Sequence, residues 1–196
     1  MTRHVTFRVC TAAALSAMLS WPFAAAPAAS AEGGKELLQA NVFNMEAGAG
    51  PNTGRLIVNI DHYTTDEELQ PDIEAFKAGG QKALVDRWWK DKPVVGSARF
   101  AQTLGLDLRV ARSRPTANGR HITLVTDRPI SGFEVSRSLR SEDYPIAWIE
   151  VDVDANGKGE GRMVPAAQLT VKDGSLVVES FGTQPLKLVT VQIKPR

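Results

Sequence analysis

Hydrophobic and polar positions alternate in short runs along most of this chain. Between Arg55 and Tyr63, Leu56, Val58 and Ile60 share one side, and Asn59, Asp61 and Tyr63 take the other. The same period returns from Leu106 to Arg112, where Leu108 and Val110 alternate with Asp107 and Arg109. It returns again from His121 to Thr126 with Ile122 and Leu124, and from Pro145 to Asp154 with Ile149, Val151 and Val153. An extended chain turns successive side chains to opposite faces, so each run predicts a strand with one face in a core. Further strands are predicted at Leu38–Asn44, Val94–Phe100, Gly161–Leu169, Gln168–Lys172, Ser175–Ser180 and Leu186–Lys194. The long apolar run of the last predicts burial on both faces. Turns are marked by Pro115-Thr116-Ala117-Asn118-Gly119, Asn156-Gly157 and Asp173-Gly174, and residues 47–54 read as a loop.

One segment breaks the pattern. Thr65-Asp66-Glu67-Glu68 has the form of a capping box, in which threonine accepts from the Glu68 amide and Glu68 reaches back. Leu69, Ile73 and Phe76 follow at helical spacing. Pro71 predicts a kink or a later start, and Gly79-Gly80 a stop. A second helix is expected over Gln81–Lys90, where Leu84 and Trp88, and Val85 and Trp89, stand four apart. The expected fold is mainly β: an antiparallel β-barrel or β-sandwich of about eight strands, with one inserted helical segment at 65–90 over an open end or edge.

The first 31 residues belong to a different kind of element. Arg3 and Arg8 precede an apolar stretch from Val9 to Ala26, and Ala29-Ser30-Ala31 follows. Charge, grease and small residues in that order predict a cleaved secretory leader. Pro22 and Pro27 interrupt the stretch, which disfavours a membrane anchor. Cys10, the one cysteine, lies inside it without the small residues a lipid-attachment site needs in front. The expected organisation is a signal peptide at 1–31, an N-terminal strand and loop at 32–54, and one β-rich domain at 55–196. Export to the periplasm or beyond follows, with no stable membrane anchor after cleavage.

Removing 31 of 196 residues leaves 165, enough for one sizeable core. The leader holds two of the 23 basic residues and none of the 22 acidic ones, so the mature balance is 21 against 22, a net of −1. A near-neutral chain argues against a nucleic-acid partner. Without cysteine, the mature domain has neither disulfides nor thiolate chemistry.

Several segments share an order with a known group. Gly54–Thr65 with Asp66-Glu67-Glu68, Gly96-Ser97, Leu106-Asp107-Leu108-Arg109, Thr126-Asp127-Arg128-Pro129-Ile130, Asp143-Tyr144-Pro145 and Gly159-Glu160-Gly161 carry it. On these the chain resembles a group of uncharacterised exported bacterial proteins of similar length. The resemblance implies the exported compartment and a single domain, and it transfers no active site.

Candidate chemistry is sparse. Asp152-Val153-Asp154-Ala155-Asn156-Gly157 opens like a calcium loop, with Glu160 as a further oxygen donor, but Met163 stands where a bidentate glutamate is needed. A polar hairpin around Asn156-Gly157 is the stronger expectation, and Asp152, Asp154, Asn156 and Glu160 remain only weak metal candidates. Gly157-Lys158-Gly159-Glu160-Gly161 lacks the following helix that a phosphate loop requires. His62 continues the inward face of its strand between Asp61 and Tyr63, making His62 and Asp61 weak catalytic candidates. His121 is expected on the solvent face. Of Trp88 and Trp89, one should anchor the helix; for the other the readings are a groove or sugar platform, or packing alone, which is the stronger expectation. Tyr63, Trp88, Arg109, Arg137, Arg140, Tyr144 and Trp148 are the ligand-binding candidates, with the polar loop from Asp127 to Asp143 as the best functional surface. The expected function is non-enzymatic binding or accessory work outside the cytoplasm, without a cofactor, and an apolar cavity inside the sheets is one expected place for a ligand. An unknown small molecule or envelope protein is the expected partner. A hydrolase centred on His62 and a carboxylate, or a structural envelope protein, are the alternatives.

Overall fold

A computed structural model describes residues 34–43, 53–101, 104–130, 143–172, 175–181 and 184–196. The predicted leader and most of the 47–54 loop lie outside these residues, as do Arg137 and Arg140. Nine strands and one helical segment make up the fold: β1 (Glu36–Phe43), β2 (Thr53–Ile60), α1 (Asp66–Asp91), β3 (Gly96–Phe100), β4 (Leu106–Thr116), β5 (Gly119–Thr126), β6 (Ile146–Asp154), β7 (Lys158–Lys172), β8 (Ser175–Ser180) and β9 (Leu186–Pro195).

Eight strands close an antiparallel barrel in the order β1-β2-β3-β4-β5-β6-β7-β9, and β9 returns to β1. Two strands predicted at 161–172 are one long strand, β7. Its first half, Lys158–Met163, pairs with β9, and its second, Ala167–Lys172, pairs with β8. Thus β8 and β9 are successive parts of one return path along β7, and the β8 half of this ribbon stands outside the ring.

The barrel interior takes the residues that alternation assigns to it. Leu38, Leu56, Val58, Ile60, Leu108, Ile122, Leu124, Ile149, Val151, Met163 and Leu188 are fully buried there. A cavity able to hold a water molecule would leave surface on the residues lining it, and these keep none. The expected apolar cavity is therefore not formed by these residues; packed side chains fill the space, as small barrels commonly do.

Tight closure depends on two glycines. Gly159 and Gly161 stand opposite the inward-facing Val153 and Val151 of β6. An added Cβ would lie 1.8 Å from the Asp152 carbonyl oxygen at Gly159 and 2.2 Å from that of Glu150 at Gly161. Glycine at such a place lets a strand bend sharply against its neighbour.

The outer wall has two characters. Over β5, β6, β7 and β9 it is charged: Glu150 meets Arg162 at 2.6 Å, His121 meets Asp152 at 2.7 Å and Glu160 meets Lys187 at 3.2 Å. Such a wall suits water; a lipid-facing barrel wall is apolar. Among the described residues no helix is long and apolar enough to cross a membrane. The expectation that Leu186–Lys194 is covered on both faces fails here. Leu188, Val191 and Ile193 point inward, while Lys187 and Thr190 face out, because among the described residues no second layer lies over this wall. Thr190, at φ 53°, sits where the β1–β9 register shifts and resets the alternation.

Elsewhere the wall is apolar and α1 covers it. Thr65 and Glu68 form the predicted capping box, and helical geometry holds through Pro71. It fails at Gly79 and Gly80. A straight helix would set residues 72 and 87 about 22 Å apart, yet Arg87 Nε donates to Asp72 Oδ1 at 3.1 Å. The segment is therefore a helical hairpin folded at the two glycines. Leu84, Val85 and Trp88 pack on Val110, Val125, Ile146, Val164, Ala167 and Leu169. Val125 and Ile146 are the outward neighbours of the inward Leu124 and Ala147. The hairpin thus lies on the outer wall of the barrel and not over an open end. Gln81 fastens it further: its side-chain oxygen accepts from the Leu169 amide, and its Nε2 donates to the Asp143 carbonyl at 2.9 Å.

Candidate functional site

The densest polar cluster lies where the end of α1 meets β4 and the segment after β5. Between Leu108 and Val110 the β4–β5 register shifts, leaving Arg109 at a bulge. Bulges re-aim side chains, and this one directs a guanidinium against buried Asp127. Nε and Nη2 of Arg109 donate to Asp127 Oδ2 at 3.1 and 2.9 Å, and Nη1 donates to the Lys92 carbonyl at 2.6 Å. The Asp127 side chain is 1% exposed. Its other oxygen accepts from Arg128 Nε at 3.4 Å, and Asp107 lies 3.5 Å from Arg109. The Lys92 ammonium, itself buried, pairs with Asp72, which also holds Arg87. One ionic chain thus runs from the first helix of the hairpin to the barrel wall.

Trp89 rises from this cluster. Its Nε1 donates to the Asp127 carbonyl at 3.4 Å, and the residue is 65% exposed. Trp88, the ligand-binding candidate, is 2% exposed and anchors α1 in the apolar layer. The two tryptophans diverge, with Trp88 as the anchor and Trp89 left exposed. Helical spacing alone left the rotation of the helix open. Arg109, also a ligand candidate, is at the cluster but committed to Asp127.

A second polar group sits at the opposite flank of the interior. Arg120 lies on the inward face of β5, and Glu36 on that of β1. Tyr63 donates to Glu36; Arg120 Nη2 donates to the same carboxylate at 2.7 Å and Nη1 to the tyrosine oxygen at 3.3 Å. The guanidinium carbon stands 5.8 Å from the centre of the Tyr63 ring. The three side chains stopper the core with groups that satisfy one another. Burial, followed by the hydrogen bond to Glu36, pushes the Tyr63 phenol well above its ordinary range. The folded state thus favours the neutral phenol. Its stabilisation is complete below the unfolded value of about 10 and is lost as pH rises toward the folded one. Alkaline titration of tyrosinate absorbance should therefore show Tyr63 silent until the fold opens. The test compares the protein with Tyr63→Phe. Equal tyrosinate yields from both below the unfolding pH support it, whereas an extra tyrosinate signal from the unmodified protein refutes it.

The remaining candidates are dispersed. β2 ends at Ile60, so His62 lies past the strand and not on its inward face; it stands 3.5 Å from Glu68 at the start of α1. Asp61 pairs with Arg196 at 2.7 Å and Lys35 at 3.8 Å. Tyr144 packs edge-on against Phe181, 5.0 Å between ring centres. Trp148 supports the helix-covered layer, and its indole N–H makes no hydrogen bond. Asp154 Oδ1 accepts from the amides of Asn156 and Lys158 at 2.8 and 2.9 Å, forming the predicted hairpin with Gly157 at φ 70°. The Lys158 amide leads in lowering its pKa. Asp152 is engaged by His121 on the outer wall and Glu160 by Lys187. Among the described residues no three histidine or carboxylate side chains gather as a metal site.

Comparison with known protein families, curated proteins and solved structures finds no match for this chain.

Proposed function

We propose that this is an exported protein which, once its leader is removed, serves outside the cytoplasm as a non-enzymatic binding or accessory module. We further propose that it meets its ligand on its outer surface at Trp89. The observation that carries this reading is an indole left largely in water while its N–H is tied to a buried ionic cluster. Rigid aromatic surface of this kind is what binding sites use. The filled interior favours an external site over an enclosed one. The resemblance to exported bacterial proteins supports the compartment. A hydrolase built on Asp61 and His62 is the weaker reading, because Asp61 is engaged with Arg196 and Lys35 while His62 faces Glu68.

Native mass spectrometry of the protein purified gently from the periplasm of its own host tests the proposal, with crosslinking in intact cells beside it. A reproducible added mass or one specific crosslinked partner, on a chain starting at Glu32, is the expected result. A bare Glu32–Arg196 mass together with no specific partner overturns it.

A further inference from the structure

We infer that Trp89 is the floor of a site for a neutral sugar ring, with Asp107 and Arg128 at its rim; this rests on the binding-module reading above. The indole is steadied on one side, where its Nε1 donates to the Asp127 carbonyl at 3.4 Å, and the helix that carries it is anchored by Trp88. A ring held in this way offers a stacking face at little conformational cost. Its rim carries one acceptor and one donor: the Asp107 carboxylate is 45% exposed and the Arg128 guanidinium 58% exposed.

Charge selects the ligand class. The two exposed groups, Asp107 and Arg128, are of opposite sign, and Asp127 and Arg109 beneath them pair with each other, so these four carry no net charge toward an ion. A pyranose fits this arrangement. Its C–H face is apolar enough to lie on an indole, and its hydroxyls both donate and accept at the edge. A proline-rich peptide also stacks on tryptophan, but it offers chiefly carbonyl acceptors and would leave the Asp107 carboxylate without a donor. The site suits holding a sugar rather than cleaving one. Asp127, the carboxylate nearest the indole's hydrogen bond, is buried beneath two arginines.

The mature chain has three tryptophans, Trp88, Trp89 and Trp148, so their indole N–H signals can be followed separately by NMR. The probes are cellohexaose, chitohexaose and maltohexaose at millimolar concentration, with a proline-rich decapeptide as contrast. One sugar should move the Trp89 signal saturably and leave those of Trp88 and Trp148 in place. Trp89→Ala should weaken binding about tenfold or more, while Trp89→Phe, which keeps a stacking face, should retain most of it. Asp107→Asn and Arg128→Gln should each weaken it less. An unmoved Trp89 signal with all three sugars overturns the inference, as does undiminished binding by Trp89→Ala or a response to the peptide alone. If Trp89→Ala keeps the native ligand mass found in the host, this inference falls while the binding-module reading stands. If no ligand or partner is found in the host at all, both fall.

Discussion

Asp127→Ala is expected to remove about 3–5 kcal/mol of stability, the usual cost of stripping one partner from a buried ion pair. At this chain length that lowers the melting temperature by about 10 °C. The cause is what the substitution leaves behind. Arg109 would keep its charge in a nearly closed site, with the Lys92 carbonyl and the more distant Asp107 as its remaining acceptors. The Asp127 carbonyl that holds Trp89 would lose its side-chain support as well. Urea unfolding of Asp127→Ala, Arg109→Met and the double variant separates the terms. The double variant should be less damaged than the sum of the singles, since the orphaned charge goes with its partner. A loss below about 1 kcal/mol for Asp127→Ala would show that the junction is solvated and not the clasp described.

Gly161→Val is expected to prevent closure of the barrel. The new Cβ would start 2.2 Å from the Glu150 carbonyl oxygen and 2.6 Å from Val151 Cγ1, on the inner side of the β6–β7 seam. Backbone on one side and packed core on the other leave it nowhere to go, so the two strands must part. The cost should exceed about 4 kcal/mol, at the extreme of single substitutions. Gly105→Ala is the control, because its nearest neighbour would be Ser97 Cβ at 3.7 Å. Soluble yield and urea unfolding of the two variants check the contrast. A Gly161→Val protein that unfolds at the same urea concentration as the parent would mean that the seam is looser than its geometry implies.

Local features of the fold could be read directly from residue order. Alternation at Leu56-Val58-Ile60 and Ile149-Val151-Val153 placed strands, and Thr65 with Glu68 placed the helix start. Gly79-Gly80 marked the fold of the helical hairpin, and Asn156-Gly157 the turn between β6 and β7. What escaped depends on partners distant in sequence. Barrel and sandwich differ only in whether β9 meets β1 and β6 meets β7, and no local period distinguishes them. The adjacent apolar pairs Leu124-Val125 and Ile146-Ala147 did carry a hint, since two neighbours cannot share a strand face. The outward members, Val125 and Ile146, required a covering layer, which α1 supplies. The candidate site was partly legible for the same reason. Two neighbouring tryptophans had to diverge, but which one stayed in water depended on how the helix turned against the wall. Asp127 read as one carboxylate among many, because its burial comes from Arg109 at a bulge that alternation does not announce.

The pairing of β1 with β9 has a temporal side. Glu36 opens the first strand and lies opposite Pro195, and the Arg196 amide donates to the Lys35 carbonyl at 2.8 Å. The ring therefore cannot shut until β9 is free to reach β1. Closing β9 onto β1 joins the two strands farthest apart in chain order, a non-local pairing of the kind that forms slowly, so the barrel stays open until β9 is available.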